Sequence, residues 1–146
     1  MKKNTYKIQY APPTVSDFMA LRMSIGWEVI DSTMSKASLD NSLFHVTVYQ
    51  QLAQSEILVA MGRVIGDGAM YFYLQDIIVL PEFQGQGLGQ LVMSEIESYL
   101  TQTAKNGATI GLLAAKGKES FYQRFGYIQR PNELLGNGMC KFIHDE

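Results

Sequence analysis

Apolar and polar residues alternate over Tyr6–Tyr10 (YKIQY), which predicts a short strand closed by Pro12 and Pro13. Phe18, Leu21 and Ile25 then recur at spacings of three and four, so a helix capped by Thr14 or Ser16 runs toward Gly26. From 27 to 41 the pattern is mixed, with a weak helical signal at Met34–Leu39. Phe44–Tyr49 and Glu56–Ile65 read as two strands, and Gly66-Asp67-Gly68 turns a hairpin into Met70–Leu80 (MYFYLQDIIVL). That last segment is apolar almost throughout, as expected of a central strand covered on both faces, and Pro81 ends it.

The period changes after Pro81. Leu88, Leu91, Val92, Ile96, Tyr99 and Leu100 form one stripe of a helix running from Gly87 to about Ala104, stopped by Asn106-Gly107. Thr109–Ala115 reads as a buried strand and Lys118–Phe125 as a short helix closed by Gly126. Residues 127–129 and 138–143 read as two final strands around an RPNELLGNG loop. A helical crossover after the long strand favours parallel pairing there, while the earlier hairpins are antiparallel. The expected fold class is therefore α/β. It has a mixed, mostly antiparallel sheet with a central parallel pair and helices on both faces, in a single domain over 1–146.

Composition narrows the function. Hydrophobic residues make up 47% and charged residues 18% of the chain, as in a folded globular protein. A net charge of −2 lacks the basic excess of a nucleic-acid binder. The single cysteine, Cys140, excludes a disulfide within the chain and is read as a core residue; with His45 and His144 as the two histidines, no metal site is expected. Neither a signal peptide nor an apolar run long enough for a membrane helix stands out, so a cytoplasmic location is the default expectation.

The chemistry concentrates at Gln84-Gly85-Gln86-Gly87-Leu88-Gly89-Gln90, between a strand and an amphipathic helix. Glycines there let the backbone approach a ligand, and a helix start offers free N–H groups and the positive end of its dipole to an anion. A P-loop would need Gly-Lys-Ser/Thr, which is absent, and a dinucleotide fingerprint would need G-x-G-x-x-G with an acidic residue after a second strand. From spacing alone, a tight strand-to-helix turn without a ligand stays open.

The segment Gln84–Gly89 resembles the Q/R-x-x-G-x-G/A motif of the GCN5-related N-acetyltransferase (GNAT) superfamily, and Ile77–Glu82 resembles its lead-in. Phe121-Tyr122-Gln123-Arg124-Phe125-Gly126-Tyr127 is similar to the family's FYxxxGF block. The two motifs cover residues 70–128, and the order of elements extends the likeness over nearly the whole chain. The resemblance implies an acyl-CoA N-acyltransferase fold, with acetyl-CoA as cosubstrate and no metal. It also implies that an acetyl group passes to a primary amine of a small molecule by direct attack in a ternary complex.

Carried over residue by residue, the resemblance makes Gln84, Gly85, Gln86, Gly87, Leu88 and Gly89 the pyrophosphate cradle, with Gln90 beside it. Ile78 and Val79 pair with the pantetheine arm, and an N–H near Val79 faces the developing oxyanion. Tyr122 matches the general acid that protonates the departing thiolate and also contacts CoA; Phe121, Phe125 and Tyr127 stay as core. On the acceptor side the candidates are Trp27, Glu28, Tyr73, Gln75 and Asp76. Alternation turns Asp76 away from Tyr73 and Gln75 unless a bulge intervenes, and a buried structural Asp76 is as good a reading as a catalytic base. Gln75-Asp76-Ile77 is similar to the lead-in of glucosamine-phosphate acetyltransferases, but Ala114 and Ala115 stand where that subfamily carries an acid. Ala115 also stands near where many relatives have a CoA-contacting Asn. A CoA-binding regulatory domain and a protein or peptide N-acetyltransferase are the alternatives, and such a fold permits a homodimer through the final strands.

Overall fold

The computed structural model describes residues 5–144. Its contacts divide the chain after Ile110 into two units.

Five strands are present, β1 (Tyr6–Gln9), β2 (Phe44–Gln51), β3 (Glu56–Gly66) and β4 (Tyr71–Val79) within the first unit, and β5 (Thr109–Gly111), whose last residue begins the second. They lie side by side in chain order, β1 to β4 antiparallel and β5 parallel to β4. The mixed α/β sheet expected from the sequence is thus present. Thr14 caps α1 (Val15–Ser24), its hydroxyl accepting from the Asp17 N–H at 3.1 Å. Asp31 caps α2 (Ser32–Asp40) by accepting from the Met34 N–H at 3.0 Å. That cap satisfies one orphan amide and explains how a weakly patterned segment becomes a full helix.

Helices cover both faces of the sheet. Phe18 and Leu21 of α1 and Leu39 of α2 pack with Tyr49, Leu58, Met61 and Ile78 of the strands, and Trp27 and Leu80 lie against this cluster. On the opposite face lies α3 (Leu88–Thr103), with Leu88, Val92, Met93, Ile96 and Leu100 buried. Gly62 of β3 sits beneath it: a Cβ there would come within 2.7 Å of Val92 Cγ1 and 2.9 Å of Ile96 Cδ1. The missing side chain therefore sets how closely α3 approaches the sheet.

The strand covered on both faces is β3, buried from Leu58 to Val64, and not β4. In β4 burial alternates, with Phe72, Leu74, Asp76 and Ile78 buried and the residues between them half-buried. β3 is the middle strand of five, whereas β4's outer neighbour has only three residues and starts level with Met70, whose carbonyl accepts from the Thr109 N–H at 2.8 Å.

The second unit holds α4 (Glu119–Gln123) and irregular chain. The strand expected over 109–115 stops at Gly111, and neither final strand at 127–129 nor at 138–143 forms. A strand persists only by laddering to another edge, and these segments have no ladder partner among the described residues. Cys140 is exposed, so the core reading for it fails. No described helix is long and apolar enough to cross a membrane.

Candidate functional site

The end of β4 leads through a single 3-10 turn, Pro81–Phe83, into the glycine loop. Gly85 and Gly87 hold φ of +80° and +83°, and an added Cβ at either would meet nothing within 4 Å. Glycine is required at these positions by the backbone conformation and not by crowding, and the loop faces open space. Gly87 is the N-cap of α3, so it contributes no side-chain oxygen, and the first turn of the helix carries no acidic residue. The amides at the start of α3 therefore lack the side-chain acceptor that most helix starts supply. Gln84 curls back, its Nε2 donating to the Val79 carbonyl at 3.1 Å, and Gln86 Oε1 accepts from the Tyr6 hydroxyl at 2.8 Å. Those bonds tie the first half of the loop to the end of β4 and to β1. Leu88 is buried as part of the helix's packing face, while Gly89 and Gln90 lie on the more accessible side. Among the described residues no group of three His, Cys, Asp or Glu is placed to hold a metal ion.

A bulge interrupts the β3–β4 ladder upstream of this loop. Met61 faces Ile78 and Arg63 faces Gln75, so Gly62 opposes two residues, Asp76 and Ile77. Asp76 has φ of +55°, the only positive φ of a non-glycine among the described residues. The extra residue shifts the alternation by one. Tyr73 and Gln75 consequently share the α1/α2 face with Ile78, and Ile77 turns to the α3 face, where it lies near Gly62. The Asp76 carboxylate reaches the same face as Tyr73 and Gln75.

That carboxylate is completely buried and lies between two guanidiniums. Arg63 Nε donates to Asp76 Oδ2 at 2.8 Å, Arg22 Nη1 donates to Oδ1, and Gln75 Nε2 donates to Oδ1 at 3.3 Å. Arg63 is itself anchored to α2 and the loop behind it, through the Ser38 carbonyl (3.1 Å), Ser38 Oγ (2.9 Å) and Ser42 Oγ (3.0 Å). Beside it, burial holds the His45 imidazole below its ordinary value, and the Arg63 charge acts in the same direction while the Leu39 carbonyl opposes it. Neutral His45 donates Nε2–H to that carbonyl at 2.9 Å, and its Nδ1 is buried without a partner.

Trp27 is half-buried against the core cluster, with the Arg22 guanidinium 4.9 Å from its ring centroid. A cation of the protein itself thus occupies a face of the aromatic. Glu28 is exposed. The structure brings Trp27, Tyr73, Gln75 and Asp76 to one face of the sheet, and Arg22 joins Trp27 to Asp76. Neither Arg22 nor Arg63 was a candidate on sequence grounds. A signal existed for Arg63: a lone cation inside the apolar strand EILVAMGRVI must find a buried acid, and Asp76 is the sole carboxylate of the next strand.

In the second unit, Tyr122 lies on α4 in an aromatic cluster: its ring is 5.1 Å from Phe121 and 6.4 Å from Tyr127, and Phe121 packs on Phe125 at 5.5 Å. Tyr122 is half-buried.

Known proteins resemble this chain in sequence and fold. Residues 19–143 match the acetyltransferase (GNAT) domain family. The chain is 31% identical over 113 residues to the uncharacterized N-acetyltransferase ycf52 of Porphyra purpurea, covering 77% of this chain and 64% of that protein. To the protein of the same name from Gracilaria tenuistipitata var. liui it is 29% identical over 120 residues, 82% of this chain and 65% of the other. It thus spans slightly less than two-thirds of these relatives. A crystal structure from methicillin-resistant Staphylococcus aureus, of a protein of unknown function described as a probable acetyltransferase, superposes with a TM-score of 0.84 at 34% identity, over 95% of this chain and all of the other. A family match across 19–143, on a sheet, glycine loop and helix arranged as above, places this chain in the GNAT acetyltransferase domain family.

Proposed function

We propose that this protein transfers an acetyl group from acetyl-CoA to a primary amine of a small molecule, by direct attack in a ternary complex. The observation that carries this reading is the pair of left-handed glycines, Gly85 and Gly87, feeding an uncapped helix start into open space. Such a cradle suits the pyrophosphate of CoA in a chain of net charge −2, because backbone amides supply the positive potential. Gln84 to Gln90 hold the pyrophosphate. Ile78 and Val79 run beside the pantetheine arm, since β5 starts level with Met70 and stops at Gly111, so that this end of β4 projects past it. The N–H near Val79 stabilises the oxyanion of the acetyl carbonyl. Tyr122 protonates the departing thiolate. The family match across 19–143 spans both units and supports one domain.

Asp76 does not serve as base in this reading. Its two oxygens accept from Arg22 and Arg63, and the carboxylate is completely buried, out of reach of an acceptor amine. The acceptor enters as the neutral amine, or loses its proton to water. Trp27, Glu28, Tyr73 and Gln75 form the acceptor side.

Calorimetric titration of acetyl-CoA tests the cradle. Gly87→Glu adds both a side chain at φ +83° and a negative charge, and it should weaken binding by more than about 100-fold. Unchanged affinity removes the site. Thiol release from acetyl-CoA with a panel of amines tests the chemistry: Tyr122→Phe should lower turnover at least about tenfold with little change in CoA affinity. Binding without any thiol release would instead assign a CoA-binding module.

A further inference from the structure

The Arg22–Asp76–Arg63 cluster contains more charge than stability explains. Arg63 and the Gln75 amide between them donate to both oxygens of the buried carboxylate, and Arg63 is fixed by three further hydrogen bonds to Ser38 and Ser42. Arg22 adds a second guanidinium, so the cluster holds two cations against one anion, with His45 neutral beside it. Arg22's one hydrogen-bonded side-chain partner among the described residues is Asp76, and its buried Nε has none. A surplus buried cation with an unsatisfied donor is costly, and such a feature persists where it has a task.

Its position indicates the task. Arg22 is less buried than Arg63, with 17% of its side chain accessible against 7%. It lies 4.9 Å from the Trp27 ring and 5.6 Å from the Phe18 ring, so its plane is fixed between two aromatics. The same guanidinium donates to Asp76, the one left-handed non-glycine among the described residues, at the bulge that turns Ile77–Val79. A single side chain thus joins the loop after α1 to the strand end that faces the thioester.

Resting on the transfer reaction proposed above, we infer that Arg22 is a positioning residue for that reaction. Its ion pair with Asp76 keeps the bulge, and hence the amides of Ile77–Val79, in register with an acceptor seated beside Trp27. Arg63 holds the fold; Arg22 transmits the position of the acceptor loop to the reacting end of β4.

The test uses the full chain, acetyl-CoA, and hydroxylamine and tryptamine as probe nucleophiles, with free thiol as the readout. Arg22→Met should lower kcat about 10- to 100-fold, because displacing a reacting group by roughly an ångström has effects of that size. Its calorimetric Kd for acetyl-CoA should stay within about twofold of the parent, because the cradle is untouched. Arg22→Lys keeps a cation for Asp76 but loses the planar stack. It should recover part of kcat, and it covers the case in which the methionine variant does not fold. A lysine or methionine variant with parental kcat overturns the inference while leaving the transferase reading intact. A Kd that weakens in step with kcat overturns it as well. Absence of thiol release by the parent with either nucleophile, despite acetyl-CoA binding, overturns both the transferase reading and this inference.

Discussion

His45 shows how a single residue couples this core to pH. Buried on the α1/α2 face, it keeps the neutral form and donates to the Leu39 carbonyl. In the unfolded chain a histidine takes up a proton near pH 6.5, whereas the native imidazole does so only at lower pH. Below about pH 6.5 the unfolded state therefore binds more protons, and stability falls as pH drops from there through the lowered native value; above pH 6.5 this contribution is fully present. Glu56 and Asp67, whose carboxyls are held low by Lys7 and by backbone N–H groups respectively, lose their contributions only in more acid solution. Urea unfolding at pH 7.5 and pH 5.5 should show a loss that His45→Gln, which retains a donor for Leu39, largely removes. An equal loss in the variant would assign the dependence elsewhere. Arg63→Met should be the most damaging single change in this region, costing about 3–5 kcal/mol, because it leaves Asp76 buried with only the more exposed guanidinium.

Among the elements, β3 and α3 set the geometry that the glycine loop inherits. α3 begins at Leu88, directly after the loop, so any displacement of the helix moves the amides of the cradle. Gly62 fixes its distance from the sheet. Gly62→Ala forces the Val92 and Ile96 side chains aside, and overpacking of this kind costs about 1–3 kcal/mol. We expect a lower urea midpoint together with weaker acetyl-CoA binding. A stable variant with intact binding would show that the helix packs loosely here. The β4 bulge is the other decisive element. The apolar run MYFYLQDIIVL identifies a strand, and its bounds are correct to within a residue at each end. Which face Asp76 occupies depended on one left-handed residue, and Asp tolerates that conformation better than most side chains do. Alternation alone put it on the wrong side.

Over the whole molecule, regular structure is concentrated before Gly111. Residues 137–144 form no helix or strand, and Met139, Phe142 and Ile143 are 90%, 76% and 86% exposed. Hydrogen exchange followed by mass spectrometry should show prompt labelling of 137–144 and the slowest exchange in β2 and β3, which are paired on both sides and largely buried. Protection of 137–144 comparable to β3 would mean that the segment is laddered in solution.

Local rules were enough for much of this protein. Hydrophobic period, glycine and proline punctuation and caps depend on neighbours along the chain, so Thr14, the amphipathic stripe of α3 and the glycine loop were all legible from residue order. The loop's spacing excluded other phosphate-binding motifs, and its likeness to a family motif agreed with the match over 19–143. Tertiary structure alone decided the partners of buried charge. Asp76 is 54 residues from Arg22 and 13 from Arg63, and no periodicity connects them. It also decided that two segments patterned as final strands stay unpaired, since a strand is a relation between two edges and the chain's order records only one of them.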